Sequence, residues 1–577
     1  MIPANALKTQ TRASLTHPYY TILLRRGQEK APARMERRHS VMDFFSGAYL
    51  FREACLPTQQ SCMPEGVVSI MDRIVSIHEE LRQIVWGWPM MLLILGAGVY
   101  FTLGTRFLQF RKFGRIMAGT IGKMFDQTAV EDKGAVSPFQ AMTTALAATV
   151  GTGNIAGVAG AIAMGGPGAV FWMWISALLG MCTKYAEVVL SIQYRERNAQ
   201  GEWVGGPMYT IQNGLGPRWK WLAVTFAVLG MTAAFGIGNM TQINTIAGSV
   251  NMAIAFFVPG AANFRNAINA VIGLLVAALA AMALFGGVKR IGRVTEKLVP
   301  LMSGLYIFGC LVVIFVNISR VGAVFVAIFR AAFQPASLLG GATGIGIISA
   351  MKRGVSRGVF SNEAGLGSAP IAYAAASTES PVEQGFYGIF EVFADTIVIC
   401  TLTALAILTS GVIGVSETAA FAYGDDSLGI NMSIAAFGTV FGNGMAGIII
   451  SIASTLFALA TILSWSLYGA RCFEYIFGVK HTRVYQMLFV AFIMVGATMK
   501  LSLAWSIADT LNGLMALPNL CAILALSGTV FRLTATYRNG ILCSKCVCHR
   551  STALAEQKPS GFSAKTEING NHGIKLP

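Results

Sequence analysis

Charged side chains are scarce in this chain. Asp, Glu, Lys and Arg make up 12% of its 577 residues, against about 25% in an ordinary soluble domain. With 54% hydrophobic residues and a mean hydropathy of +0.60, that scarcity argues against a soluble globular protein. Histidine is rarer still. His17, His39, His78, His481, His549 and His572 all lie outside the apolar stretches, which disfavours a His-based catalytic or metal site at membrane depth. The first 40 residues have no apolar run, so no cleavable signal peptide is expected. Ten cysteines are scattered without the spacing of a disulfide framework. Cys543, Cys546 and Cys548 precede His549 without a second ligand pair, and read as free thiols, not a zinc site.

The net charge of +16 would suggest nucleic acid on a soluble chain, but its distribution points elsewhere. Residues 1–82 carry a net +3 and 534–577 a net +4, while most remaining charges sit in short clusters between apolar stretches. This is the pattern of a polytopic membrane protein with basic loops, and no nucleic-acid partner is expected. The polar segments 1–82 and 534–577 read as disordered tails, with Met71 as an alternative start.

Eleven segments approach the roughly 20 apolar residues that span a bilayer as helix: about 83–103, 138–164, 168–193, 221–247, 267–288, 298–318, 338–360, 386–412, 434–468, 484–500 and 504–531. Basic clusters follow the odd-numbered spans, as with Arg106, Arg111, Lys112 and Arg115 after the first. The loops at 248–266 and 413–433 hold almost no basic residue, although Arg320 and Arg330 make 319–337 a mild exception. The positive-inside rule then places the N-terminus outside and the C-terminus in the cytoplasm.

One span is interrupted at its middle. Residues 138–168 carry Gly151-Thr152-Gly153-Asn154; Gly weakens a helix interior, and Thr and Asn offer the backbone competing hydrogen bonds. A helix broken at membrane depth is tolerated only where its freed N–H and C=O groups face a cavity or protein. A half-helix N-terminus there presents donors to a carboxylate, and unwound carbonyls with the Thr and Asn side chains can ligate a small cation. Gly153 and Gly157 also fit a simple close-packing motif. The G-x-G-x-x-A spelling follows no strand, which excludes a dinucleotide loop.

A second interrupted stretch, 337–375, has Gly340, Gly341, Gly344 and Gly346 before a basic segment. Interruptions at corresponding positions of two oppositely oriented halves point to a transporter built from inverted repeats. Neither Gly-rich core holds a carboxylate or a base, which favours a zwitterion, or a small anion balanced by a cation. Ionisable residues inside spans are functional candidates. Lys184 and Glu187 share a helix face and can neutralise each other. Glu391, Asp395 and Asp509 lack a partner in sequence and are either functional or simply interfacial or water-exposed. Asn239 and Gln242 on the fourth span, and Ser454, Thr455, Thr461, Ser464 and Trp465 on the ninth, offer polar groups that complete a pocket or simply pack. A channel would need a continuous polar pore lining. An intramembrane enzyme would need a nucleophile or metal cluster, and no chemistry on the substrate is expected.

The segments 144–195, 204–216 (VGGPMYTIQNGLG), 357–376 (RGVFSNEAGLGSAPIAYAAA) and 457–478 resemble the alanine/glycine:cation symporter family, bacterial and archaeal sodium:amino-acid carriers. The resemblance covers about 83–533. It implies an all-α, LeuT-like fold of two five-helix inverted repeats, about 138–318 and 338–531, preceded by one extra helix. It also implies symport of alanine, glycine or a related small neutral amino acid with Na⁺, less often H⁺, across a bacterial inner membrane, with no cofactor beyond the coupling ion. By that likeness Gly151, Thr152, Gly153 and Asn154 bind substrate, Gln242 approaches it, and Thr461 and Trp465 line the pocket. Asn154, Ser454 and Thr455 become candidate sodium ligands. Tyr373 stands where the family usually has His, Thr210 where a second Tyr is common, and Ser464 where Gly is frequent.

Overall fold

Ser137 opens the first broken helix. Its hydroxyl accepts from the Gln140 amide while the Gln140 side chain accepts from the Ser137 amide, with Pro138 at the first helical position. This reciprocal cap satisfies two amides that would otherwise be orphaned at the helix start. The computed structural model describes Glu80 and residues 84–122, 134–333, 346–413, 428–499 and 502–539, and these are almost entirely helical.

Helix α1 (Trp88–Gly104) is followed by a short amphipathic helix α2 (Phe113–Ile121). The broken pair α3 (Pro138–Thr149) and α4 (Ala156–Gly165) comes next, then α5 (Gly168–Gln193). A two-residue hairpin pairs Glu196–Arg197 with Trp203–Val204. Beyond it run α6 (Lys220–Phe235) and α7 (Thr241–Phe257), joined through a π-helical turn at Gly236–Met240, then α8 (Arg265–Leu284), α9 (Gly287–Val316) and α10 (Ile318–Phe333). The second half holds α11 (Ile347–Asn362), α12 (Pro381–Val392), α13 (Thr401–Ser410), α14 (Leu428–Phe441), α15 (Asn443–Phe477), α16 (Thr482–Thr498), α17 (Ser502–Ala525) and α18 (Ser527–Arg538). A π-helical stretch, Phe393–Cys400, joins α12 to α13.

Among the described residues six helices are long and apolar enough to cross a membrane, or eight if each bent pair counts as one span. These eight correspond to spans two to six, eight, nine and eleven of the expected eleven. The other three are shorter: α1 and α16 have 17 residues each and α11 has 16. The ninth is also divided, because Gly442 at φ 77° separates α14 from α15. The residues Gly340, Gly341 and Gly344, and the tail cysteines, lie outside the described residues.

Burial separates inner from outer helices. In α5 83% of the apolar window is buried, against 33% in α8. Helix α8 exposes Val271, Leu274, Leu275, Leu279 and Met282, an apolar stripe at helical spacing that suits lipid. Helix α5 packs chiefly on α11 and α12, and α15 packs on α6 and α7. The α5–α11 contact is close because Gly354 and Gly358, four apart, face Ala169 and Ser176, and a side chain at either would overlap them. This is how small residues let membrane helices approach in lipid, where the hydrophobic effect offers no drive between helices. The entry of the first broken helix is tied to the exit of the second. Val136 N donates to Ala375 O at 3.0 Å and Ser377 N to Val136 O at 2.7 Å. Arg195 then donates to the carbonyls of Ala374 and Thr378.

Candidate functional site

The first break is organised by Asn154. Val150 leaves helical geometry (ψ 83°) and residues Thr152–Asn154 form a single tight turn, bending α3 from α4 by 56°. Gly151 N donates to Asn154 Oδ1 at 2.8 Å and Asn154 N to Gly151 O at 3.2 Å. Because the Gly151 amide turns to Asn154, the Ala147 carbonyl is released from the helix ladder; it takes the Thr461 hydroxyl at 3.1 Å. A Cβ added at Gly151 would lie 2.8 Å from Thr461 Oγ1, so the close approach of α15 to the break requires glycine there. Thr152 Oγ1 donates to Gln242 Oε1 at 3.3 Å, and Gln242 Nε2 to Ile237 O at 2.9 Å inside the π-helical turn. Gly238 in that turn packs directly under Trp465. Thus the structure gathers Gly151, Thr152, Asn154, Gln242, Thr461 and Trp465; Gly153 faces the Phe360 ring on α11.

The second break lies within the interrupted stretch expected at 337–375. Helix α11 runs unbroken from Ile347 to Asn362, and the chain unwinds over 363–368, with Glu363, Gly365 and Gly367 at positive φ, before a short helix Ala369–Tyr373. An Asn-Glu-Ala-Gly-Leu-Gly run at 362–367 supplies left-handed positions that a helix cannot absorb. Glu363 Oε1 accepts from Trp465 Nε1 at 3.1 Å and its other oxygen from Ser368. Glu187 accepts from the amides of Gly365 and Gly367 and from Asn519 Nδ2, so a carboxylate on α5 holds the unwound segment in place.

The ionisable residues of the spans need the largest correction. The direct ion-pair partner of Lys184 is Glu391, on another helix, and not Glu187. Lys184 Nζ lies 3.2 Å from Glu391 Oε1, both side chains wholly inaccessible, and Tyr373 OH donates to Glu391 Oε2 at 2.9 Å. Asp395 is not interfacial either. It is fully buried in the π-helical stretch, where Oδ1 accepts from Asn154 Nδ2 at 2.6 Å and Oδ2 from Ser361 and Thr396 hydroxyls at 2.8 and 2.7 Å. Both breaks therefore have a carboxylate at their side, although the Gly-rich run 151–154 itself holds none. Asp395 is visible in sequence without its role, and Ser361 and Glu363 are not singled out, because the Asn154–Asp395, Ser361–Asp395 and Trp465–Glu363 contacts form between helices. The one local signal was the oxygen-rich pairs Ser361-Asn362 and Asp395-Thr396.

Of the candidate cation ligands, Thr455 faces elsewhere. It is half-buried in a groove with Val250, Ile254, Phe257 and Ile452 on the outer side of α7 and α15. Ser454 is buried and its hydroxyl has no hydrogen-bond partner. Ser464 is likewise buried without a partner. The arrangement at Asn154, Ser361, Asp395 and Thr396, contributed by both broken helices and the π-helical stretch, offers hard oxygen atoms suited to a small cation. Among the described residues no group of three His, Cys, Asp or Glu side chains has a metal-binding arrangement.

A multi-span helical bundle with two helices unwound at a buried polar centre defines a membrane carrier of small solutes. The sodium:alanine symporter family model matches residues 71–544, and the chain belongs to that family. It is 43% identical over 465 residues to the sodium/alanine symporter AgcS of Methanococcus maripaludis, covering 80% of this chain and 97% of that one. It is 37% identical over 474 residues to the probable sodium/glutamine symporter GlnT of Bacillus subtilis, covering 81% and 91%. Among solved structures it resembles MhsT in complex with L-phenylalanine, with a TM-score of 0.50 at 15% identity over 72% of this chain and 97% of that one. The fold is LeuT-like, and the protein is an amino-acid:cation symporter, not an enzyme.

Proposed function

We propose that this protein takes up a small neutral amino acid, alanine or glycine, with Na⁺ as coupling ion. It would sit in a bacterial plasma membrane with its N-terminus outside and its C-terminus in the cytoplasm. The observation that carries this reading is Asp395 beside Asn154. A buried carboxylate surrounded by neutral amide and hydroxyl groups needs a positive partner at low dielectric, and a monovalent cation bound with the substrate supplies it. The substrate carboxylate would meet the amide donors at the start of α4, next to Thr152 and Gln242. Small size is favoured because Thr461 and Trp465 crowd Gly151 and Gly238. Alternating access then moves one helical bundle against the other around the two breaks.

In liposomes containing the purified chain, labelled alanine or glycine is expected to accumulate only under an inward Na⁺ gradient. Equal accumulation with K⁺ on both sides and no pH gradient would overturn symport; accumulation driven by a pH gradient alone would replace Na⁺ with H⁺. Asn154→Ala removes the side chain that closes the turn and contacts Asp395. It is expected to reduce uptake at least a hundredfold, from the loss of charge-assisted hydrogen bonding at about 1.5–3 kcal/mol together with the turn itself. Wild-type uptake by this variant would mean that the break serves helix packing alone.

A further inference from the structure

A basic cavity lies away from the transport centre, between the end of α1, α2, the start of α12 and α18. Its volume is about 230 Å³. Five cations line it: Arg106, Arg111, Lys112, Arg115 and Arg538. Among the described residues none of them pairs with a carboxylate, and no acidic side chain lines the cavity. The floor is of opposite character, formed by the buried Leu108, Val382 and Phe386 and by Phe531. Arg106 and Phe107 both adopt left-handed backbone (φ 58° and 56°), which turns the chain sharply at the end of α1. Arg111 Nη1 donates to the Arg106 carbonyl across that turn at 3.4 Å. Immediately outside the rim, Tyr100, Leu103, Phe107 and Phe110 are exposed.

We propose that this cavity binds one glycerophospholipid of net negative headgroup. Cations that bind only in water need no apolar floor, and a lipid-facing groove needs no cluster of five charges. Both are required by a molecule that is a phosphate at one end and hydrocarbon at the other. The clustered charge meets the phosphate, the floor takes the glycerol and first methylenes, and the exposed side chains beside α1 receive an acyl chain. Loop charge bias places this face on the cytoplasmic side, whose leaflet is negative. The lipid would bridge α1, α12 and α18, and α12 is the helix that carries Glu391. The proposal rests on this cavity and on the loop charges, not on which amino acid is carried.

The test uses the full chain in neutral detergent, with phosphatidylglycerol, phosphatidylcholine and inorganic phosphate as separate probes followed by native mass spectrometry. One phosphatidylglycerol is expected to stay bound, and neither other probe. The variant Arg111→Gln/Lys112→Gln/Arg115→Gln should weaken it on the order of a hundredfold, at about fivefold per cation. The variant Arg290→Gln/Arg293→Gln/Lys297→Gln loses the same charge from the start of α9 and should leave binding unchanged. Equal loss in both triple variants, or equal retention of phosphatidylcholine, would overturn the site as a mere charge field. Retention of inorganic phosphate with no phosphatidylglycerol would overturn the lipid. Should the first variant misfold, a photoactivatable phosphatidylglycerol on the wild-type chain decides: labelling concentrated in 104–116 and 527–538 supports the cavity, and labelling confined elsewhere or uniform over the helices overturns it.

Discussion

Lys184→Met is expected to cost about 3–5 kcal/mol of stability, because it leaves the Glu391 carboxylate buried with no counter-charge. The pair sits at 3.2 Å with both side chains inaccessible, so water cannot replace the lost ammonium. Its neighbours add to the cost. Tyr373 from the short helix after the second break donates to the same carboxylate, and one substitution therefore loosens α5, α12 and that helix together. The double variant Lys184→Met/Glu391→Gln removes both charges and is expected to recover most of the loss, since a buried ion pair is often no more stabilising than neutral groups of its size. Thermal unfolding in detergent, read beside the fraction that stays monodisperse, distinguishes the two. A single variant as stable as wild type would show that the pair contributes nothing. A stable double variant that still fails to transport would assign the pair a role in the transport cycle.

Asp395→Asn is expected to raise the Na⁺ concentration for half-maximal uptake on the order of a hundredfold, with the amino-acid KM at saturating Na⁺ little changed. The substitution keeps the shape of the side chain and removes its charge. The remaining oxygen, at the Oδ1 position, still accepts from Asn154 Nδ2, and the new NH2 at the Oδ2 position faces the Ser361 and Thr396 hydroxyls, which can turn to accept from it, so the fold survives. Interactions with an ionised group contribute about 1.5–3 kcal/mol, or roughly ten- to a hundredfold, before Coulomb attraction to the ion is added. Ser361→Ala keeps the charge and removes one hydroxyl, and should shift the same midpoint about tenfold. An unchanged sodium dependence in Asp395→Asn would place the coupling ion elsewhere in the protein. A loss of substrate affinity at every Na⁺ concentration would make Asp395 a substrate group.

The two breaks show how far local pattern reaches. Gly151-Thr152-Gly153-Asn154 was legible because its disruption is intrahelical: two glycines lower helix stability and the Asn side chain captures an amide three residues away. The second stretch, 337–375, is legible in sequence only as an interrupted region. Within it, 363–368 unwinds because Glu363, Gly365 and Gly367 take left-handed backbone while Glu187 of α5 holds the Gly365 and Gly367 amides from another helix. Trp465 and Thr461 share a helix face by spacing alone, but their partners are Glu363, 102 residues away, and the Ala147 carbonyl, 314 away. Ser454 and Thr455 become candidate cation ligands together only through the family resemblance. Consecutive helical residues point about 100° apart, and only one of the two is buried among other helices.

Composition alone placed the chain in a membrane, since hydrocarbon admits no other use for so many apolar helices separated by basic loops. Motif-length resemblance added the family. What no local pattern contained was the pairing of buried charge: Lys184 with Glu391 across 207 residues, and Asp395 with Asn154 across 241. Hydropathy and spacing act along one helix. A charge at low dielectric is decided by whatever lies a few ångströms away, and for Lys184, Glu391 and Asp395 a decisive neighbour comes from a different helix.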